Sequence, residues 1–377
     1  MDSRGVRLVR VGGIQVVIDY SWFIVFLLIV YVAAEGAFPR THDRSSAVEY
    51  WLMGLVFALL YFASVLIHEL AHSLVARRHG IEVKSIRLLF FGGLAQISSE
   101  PKTSKHEFLI ALAGPAASVA VAFLFGAVWL VLILAGAWSP AAVVAAYLAS
   151  ANLILALFNM IPGLPLDGGR VLRALLWDRW DDPGRATKVV SRLGNAFALF
   201  LILFGVLQFL VWQNLVGGLW SMLIGLVMKQ AAFGSYQAAV LREALSGTPV
   251  AQIMTENVTA VDWLASVEEL VRNYIYRHQC THLPVCSESE VVGMVSLEQV
   301  KNVPRELWAF KQVRDIMTPI DQVPRLKPTD DAAEALNRMI SEDAGRMPVM
   351  EEGRLLGILS RRDIMDFVKI RTDLGGR

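Results

Sequence analysis

From Trp51 to Ala76 the chain reads WLMGLVFALLYFASVLIHELAHSLVA, and this run constrains the fold more than any other feature. A helix of about 20 residues crosses a hydrocarbon core, so the run is long enough to span a bilayer. It nevertheless carries His68-Glu69-Leu70-Ala71-His72. Positions i and i+4 fall on one helix face one turn apart, so both imidazoles can ligate a single Zn²⁺ with Glu69 beside them as a base. Ionisable groups within hydrocarbon are costly and mark function. A metal-hydrolase motif in an apolar helix therefore points to chemistry done inside a membrane.

The rest of the chain supports a membrane setting. Of its 377 residues, 55% are hydrophobic and 18% charged, respectively above and below the usual shares for soluble domains. Long apolar runs are confined to residues 14–235, whereas 245–377 reads as a soluble α/β segment. Runs long enough to cross give about six spans, at 14–34, 51–76, 108–136, 141–162, 191–212 and 215–233. Arg4, Arg7 and Arg10 precede the first span, which reads as retained rather than as a cleaved signal.

Lys and Arg concentrate in the N-terminal segment and in connectors 77–107 and 163–190, and are sparse in the opposite connectors. The positive-inside rule then places the N-terminus and the C-terminal part in the cytoplasm of a multi-pass protein of the cell membrane. A formal net charge of +1 without a basic patch argues against nucleic-acid binding. Cys280 and Cys286 lack ligand spacing and read as reduced thiols.

A catalytic zinc takes three protein ligands and leaves a position for water. The fourth span ends in Asn159-Met160-Ile161-Pro162-Gly163-Leu164-Pro165-Leu166-Asp167-Gly168-Gly169-Arg170. Prolines and glycines break the helix there, and broken backbone at membrane depth is tolerated where it lines a polar cavity. Asp167 lies on the same side of the bilayer as the two histidines and is the candidate third ligand; the other reading is an Asp capping a helix that begins at Gly168-Gly169. Ile86–Ser99, split by Gly92 and Gly93, is too short to cross and β-prone, so it is expected to form a hairpin against the site. Asn152 is expected to hydrogen-bond between helices, and His79 and His106 read as solvated side chains in a basic connector.

HExxH in one apolar span and N-x-x-P-x-x-P-x-D-G at the end of a later one resemble the site-2 proteases, the intramembrane zinc metalloproteases, over about residues 10–235. The resemblance implies that His68, His72 and Asp167 bind Zn²⁺ and that Glu69 is the catalytic acid/base. It further implies that Asn159, Pro165, Gly92 and Gly93 help hold substrate, and that Ala113-Gly114-Pro115 serves packing rather than chemistry.

The C-terminal part repeats itself. Ile253-Met254-Thr255 recurs as Ile316-Met317-Thr318, His282-Leu283-Pro284-Val285 as Arg346-Met347-Pro348-Val349, and Gly293-Met294-Val295-Ser296 as Gly357-Ile358-Leu359-Ser360. The repeat resembles a tandem pair of CBS domains, which implies binding of ATP, AMP or a related adenine nucleotide. It implies a ligand site at Gly357, Ser360 and Asp363 of the second unit. The first unit has Gln299 where the pattern expects Asp. A purely structural or dimerising module is the other reading.

The expected fold class is a multi-span α-helical membrane protein of about six transmembrane helices with a C-terminal soluble α/β CBS pair. The expected divisions are a protease domain over 1–235, a linker over 236–249, and CBS units over 250–310 and 311–377. The expected function is an intramembrane zinc endopeptidase acting on single-span membrane proteins in regulated intramembrane proteolysis. An adenine nucleotide adjusts its activity, and the chain forms a homodimer through the CBS pair. The competing reading is a CBS-gated transporter or channel that uses the same polar residues as an ion path.

Overall fold

Gly12 and Gly13, with φ of 57° and 86°, turn β1 (Gly5–Val11) back onto β2 (Ile14–Asp19). Positive φ at both turn positions is what a two-residue hairpin of this kind needs, and glycine adopts it without strain. β2 then pairs in parallel with β3 (Val83–Leu89), which pairs antiparallel with β4 (Gly92–Ile97), giving the order β1-β2-β3-β4. A parallel pair needs a long crossover. Here the crossover consists of the first two apolar helical segments. The structure is a computed structural model that describes residues 5–42, 45–89, 92–97, 101–136, 139–256, 258–278, 280–288, 290–342 and 344–374. The chain divides into two compact units, Met1–Ala239 and Val240–Arg377.

In the first unit, α1 (Tyr20–Val32) is capped by the Asp19 side chain, which accepts from Ser21 N. It continues through a π-helical stretch at Ala33–Ala37 into α2 (Phe38–Thr41). The first span therefore begins at Tyr20, not Ile14. Residues 14–19 alternate buried and half-buried positions as a strand does, with Ile14, Val16 and Ile18 facing the core. α3 (Ala47–Arg78) opens with a Ser46/Glu49 capping box. α4 (Ser104–Leu134), α5 (Pro140–Asn159), α6 (Asp167–Trp180), α7 (Pro183–Trp212) and α8 (Leu215–Leu245) follow. Thr103, Ser139 and Asp182 cap α4, α5 and α7.

Six helical stretches among the described residues are long and apolar enough to cross a membrane: Tyr20–Thr41, α3, α4, α5, α7 and α8. α8 continues to Leu245, so most of the expected linker is helical. The sheet, α1, α3 and α4 share a core that includes Ile14, Trp22, Phe62, Ile86 and Ile110. Asn152 on α5 donates to Ser64 Oγ on α3 at 3.2 Å, the expected bond between helices.

The second unit is a repeat in structure as in sequence. In the first half, β5 (Val261–Asp262) precedes α9 (Val267–Glu269), a π-helical turn at Leu270–Ile275 and α10 (Tyr276–His278). β6 (His282–Ser287), β7 (Glu290–Ser296) and α11 (Leu297–Lys301) follow. In the second half, β8 (Thr318–Pro319) is followed by α12 (Ala332–Ser341), β9 (Arg346–Glu351), β10 (Arg354–Ser360) and α13 (Arg361–Asp373).

The halves interlock. Thr318 pairs with Met294 of β7, and Thr255 bridges Ile358 of β10, so each Ile-Met-Thr segment joins the other half's hairpin. A Cβ on Gly293 would stand 2.6 Å from Thr318 O, and one on Gly357 would stand 2.7 Å from Thr255 O. Glycine is required at both places by the same close approach of backbone. Each half buries its own core, one around Leu283, Val285 and Val295 and the other around Met347, Val349 and Leu359.

Candidate metal centre

One helix and the start of another bring three candidate ligand atoms together. His68 Nε2 and His72 Nε2, one turn apart on α3, lie 3.2 Å from each other. Asp167 Oδ2, in the first turn of α6, lies 3.1 Å from the first and 3.2 Å from the second. The side chain of Asp167 caps nothing; Leu166 occupies the cap position of α6 without a side-chain bond. Four-coordinate zinc with N and O ligands at about 2.0–2.1 Å needs donors about 3.3–3.4 Å apart, close to what the three atoms show. Among the described residues, this is the cluster of three His, Cys, Asp or Glu side chains placed to hold a metal ion.

Hydrogen bonding around the histidines favours a cation at the point of convergence. His72 Nδ1 donates to the Ile110 carbonyl at 2.6 Å, so its Nε2 keeps the lone pair that faces His68 and Asp167. His68 Nδ1 meets Ser118 Oγ at 2.9 Å. Three acceptors gathered in a buried site would repel without a positive charge between them. The residues fit zinc.

Room for an ion is made by glycine. A Cβ on Gly114 would stand 2.6 Å from His68 Nε2 and would collide with His72 Nε2. The Ala113-Gly114-Pro115 segment, expected only to pack, thus forms a wall of the site. Ile110, Gly114 and Ser118 fall on one stripe of α4 at steps of four and are all buried. Glu107, one turn earlier on the same stripe, is fully buried and takes a hydrogen bond at 2.7 Å from Arg173 Nε on α6. Breaking one side of such a pair strands a buried charge, at a cost of about 3–5 kcal/mol.

Glu69 follows His68 and lies against β4. A Cβ on Gly93 would stand 2.5 Å from Glu69 Cδ, and the Gly93 backbone hydrogen-bonds the carboxyl group. Gly92 begins the same strand; residues 90–91 and 98–99 of the expected hairpin lie outside the described residues. Asn159 is half-buried at the last turn of α5, and Pro165 is exposed in the loop before Asp167. That loop is set by glycines. Any Cβ on Gly169 would collide with the backbone of Gly163 and Leu164, and Gly163 packs as closely on Gly194 of α7. His79 and His106, expected to be solvated, are half-buried with rings stacked 4.2 Å apart.

In the second unit, Ser360 and Asp363 help line a cavity of about 280 Å³ with Thr255, Thr259, His282 and Arg346. Gly357 is outside that lining, its place set by contact with Thr255. Ser360 N and Oγ both donate to Asp363 Oδ2, at 2.8 and 2.6 Å. In the first repeat Ser296 N donates to Gln299 Oε1 at 2.7 Å, and Gln299 Nε2 donates to Thr318 Oγ1 at 2.8 Å. The Ser-x-x-Asp/Gln spacing is a helix cap in both halves. Burial, with Arg346 beside it, holds the His282 imidazole below its usual value. Cys280 and Cys286 form no disulfide.

Known proteins resemble both units. Residues 56–140 and 130–201 match Peptidase family M50, and residues 250–306 and 313–370 match the CBS domain. Rip3 of Mycobacterium tuberculosis, which bears a zinc metalloprotease name, is 37% identical over 97% of this chain and 93% of its own. Zinc metalloprotease MJ0392 of Methanocaldococcus jannaschii is 29% identical over 97% of this chain and 96% of its own. Among solved structures, the Site-2 Protease from Methanocaldococcus jannaschii is 28% identical, covers 62% of this chain and 95% of that chain, and has a TM-score of 0.42. The chain therefore belongs to the M50 peptidases, the site-2 protease family, and is a multi-pass membrane zinc metalloprotease with a tandem pair of CBS domains.

Proposed function

We propose that His68, His72 and Asp167 hold the zinc and that Glu69 is the acid/base with which this enzyme cleaves membrane-spanning segments of single-span proteins. The observation that carries the reading is the convergence of the three ligand atoms, at 3.1–3.2 Å, between apolar helices. Zinc held there would polarise a peptide carbonyl and lower the pKa of water towards neutrality. Glu69 takes a proton from the attacking water and gives it to the leaving amine. The substrate helix has to unwind first, because its carbonyls are already hydrogen-bonded. β4 ends the sheet beside Glu69, which supports addition of the unwound segment as a further strand. Asn159 at the end of α5 and Pro165 in the loop before Asp167 help hold the substrate in this reading. Membership of the family accounts for the polar cluster without an ion path.

The distribution of Lys and Arg supports an N-terminus and a CBS pair in the cytoplasm of a cell-membrane protein. The cavity between Thr255, His282, Arg346, Ser360 and Asp363 suits an adenine nucleotide such as AMP or ATP, with Asp363 accepting from ribose hydroxyls and Arg346 meeting phosphate. Such a ligand adjusts cleavage only by binding one state of the enzyme more tightly than another. Exposed Ile340 on α12 and Met365 and Ile370 on α13 support a homodimer through the CBS pair.

The test is bound metal by elemental analysis beside cleavage of a single-span substrate, for the wild type and Glu69→Gln in detergent. About one zinc per chain in both, with cleavage lost only in the variant, is the expected result. Absence of zinc from both proteins would overturn the ligand assignment.

A further inference from the structure

Arg173 reaches Glu107 Oε1 through two nitrogens, Nε at 2.7 Å and Nη2 at 2.6 Å. Glu107 stands in the first turn of α4, where the helix N-terminus favours an anion. Nη1 of the same guanidinium donates to Thr187 Oγ1 on α7 at 3.4 Å. One side chain of α6 thereby ties that helix to both neighbours. Arg170, one turn closer to the metal centre, keeps its Nε 4.0 Å from the same carboxylate oxygen.

The placement of the pair matters more than its strength. Asp167, Arg170 and Arg173 follow one another at steps of three along one face of α6. Glu107 shares its stripe of α4 with Ile110, which orients His72, and with Ser118, which meets His68. α6 has 14 residues and is held at its start by the close glycine packing around Gly163 and Gly169. A short helix fixed at one end can still tilt and roll about that end, and such a motion re-aims the Asp167 carboxylate even where its backbone stays in place. A second fixed point two turns further on removes that freedom.

We propose that the Glu107–Arg173 pair is a positioning device that sets the depth and rotation of α6 so that the Asp167 carboxylate meets both histidines. The proposal rests on the reading of His68, His72 and Asp167 as the zinc ligands. It differs from a purely structural role, because a buried ion pair can often be exchanged for apolar groups of similar volume without loss of stability.

That difference supplies the experiment. Full-length protein in detergent is prepared as wild type, as Glu107→Met/Arg173→Leu, and as Arg173→Lys. The double variant keeps volume and leaves no buried charge; Arg173→Lys keeps the charge and loses the planar fork. Zinc affinity is measured by chelator competition, the visible absorption of the cobalt(II)-loaded protein reports the ligand set, and a thermal midpoint reports folding. The expected result is a double variant with a near-wild-type midpoint, at least about tenfold weaker zinc binding, the loss typical of groups that orient metal ligands, and altered cobalt bands. Arg173→Lys is expected between the two, and carries the test if the double variant does not fold. Wild-type zinc affinity and cobalt bands in the folded variants would overturn the proposal. A wild type that binds no zinc would instead overturn the ligand reading on which it rests.

Discussion

Gly114 faces His68 across a gap too small for a methyl group: a Cβ there would stand 2.6 Å from Nε2. Gly114→Ala should therefore damage the metal centre although Gly114 ligates nothing. In the interior of α4 an alanine is otherwise the better helix former by about 1 kcal/mol, so the helix itself should tolerate the change. The expected outcome is zinc weakened and cleavage lowered on the order of 10²-fold, the effect of misplacing reacting groups by about 1 Å. Elemental analysis and cleavage assays check it; full zinc and full activity would show that the wall of the site yields.

Gly93 offers the complementary case. Its Cβ would stand 2.5 Å from Glu69 Cδ, and the three atoms nearest to it all belong to Glu69. Gly93→Ala should keep the metal and displace Glu69, the proposed acid/base, lowering kcat by about 10². Loss of zinc from this variant would mean that β4 supports the ligands as well as Glu69.

Much of the centre is legible in the sequence because its chemistry has a spacing. His68, Glu69 and His72 repeat at a helical turn, and Asp167 follows a helix-breaking run that only a cavity tolerates. What supports them has no such mark. Ile110 acts through its carbonyl, Gly114 through the absence of a side chain, and Glu107 through a partner in a distant segment. The start of the first span is hard to place from sequence because Ile14–Asp19 is as apolar as the helix after it. The alternation of buried positions and the Gly12-Gly13 turn are the signs of a strand. Gly357 sits in a ligand motif, but its contact with Thr255 is the stronger reason for glycine.

Loss of Asn152 should matter to packing rather than to chemistry. Its bond to Ser64 joins α5 to α3 at 3.2 Å, and it also donates to Leu148 O of its own helix. Hydrogen bonds between membrane helices average about 0.6 kcal/mol. Asn152→Ala should lower stability by about that amount, with zinc content unchanged. A several-fold loss of metal would assign Asn152 to the site.

The two CBS halves differ where a ligand would discriminate them. Asp363 presents a carboxylate to the cavity, whereas the Gln299 amide donates to Thr318. Calorimetry with AMP is expected to give one site per chain. Asp363→Asn should weaken it by about 1.5–3 kcal/mol, the worth of hydrogen bonds to a charged group, and Gln299→Leu should leave it unchanged. Two equal sites would refute the asymmetry.

His282 gives the cavity a pH dependence whose sign follows from its surroundings. Burial and then Arg346 depress its pKa, with Glu298 opposing them. The unfolded chain, with an ordinary imidazole near about 6.5, therefore takes up the proton first as pH falls. Stability that is present above about 6.5 is lost as pH drops towards the lower folded value. An anionic nucleotide reverses the effect, because it favours the protonated imidazole beside Arg346. In the full-length protein, the thermal midpoint of the CBS transition should fall between about pH 7.5 and 5.5, and His282→Gln should flatten that fall. The upward shift of the midpoint by AMP should be larger at the acid end of that range than at the other, in the wild type alone. An equal acid loss in His282→Gln would assign the proton uptake to another group.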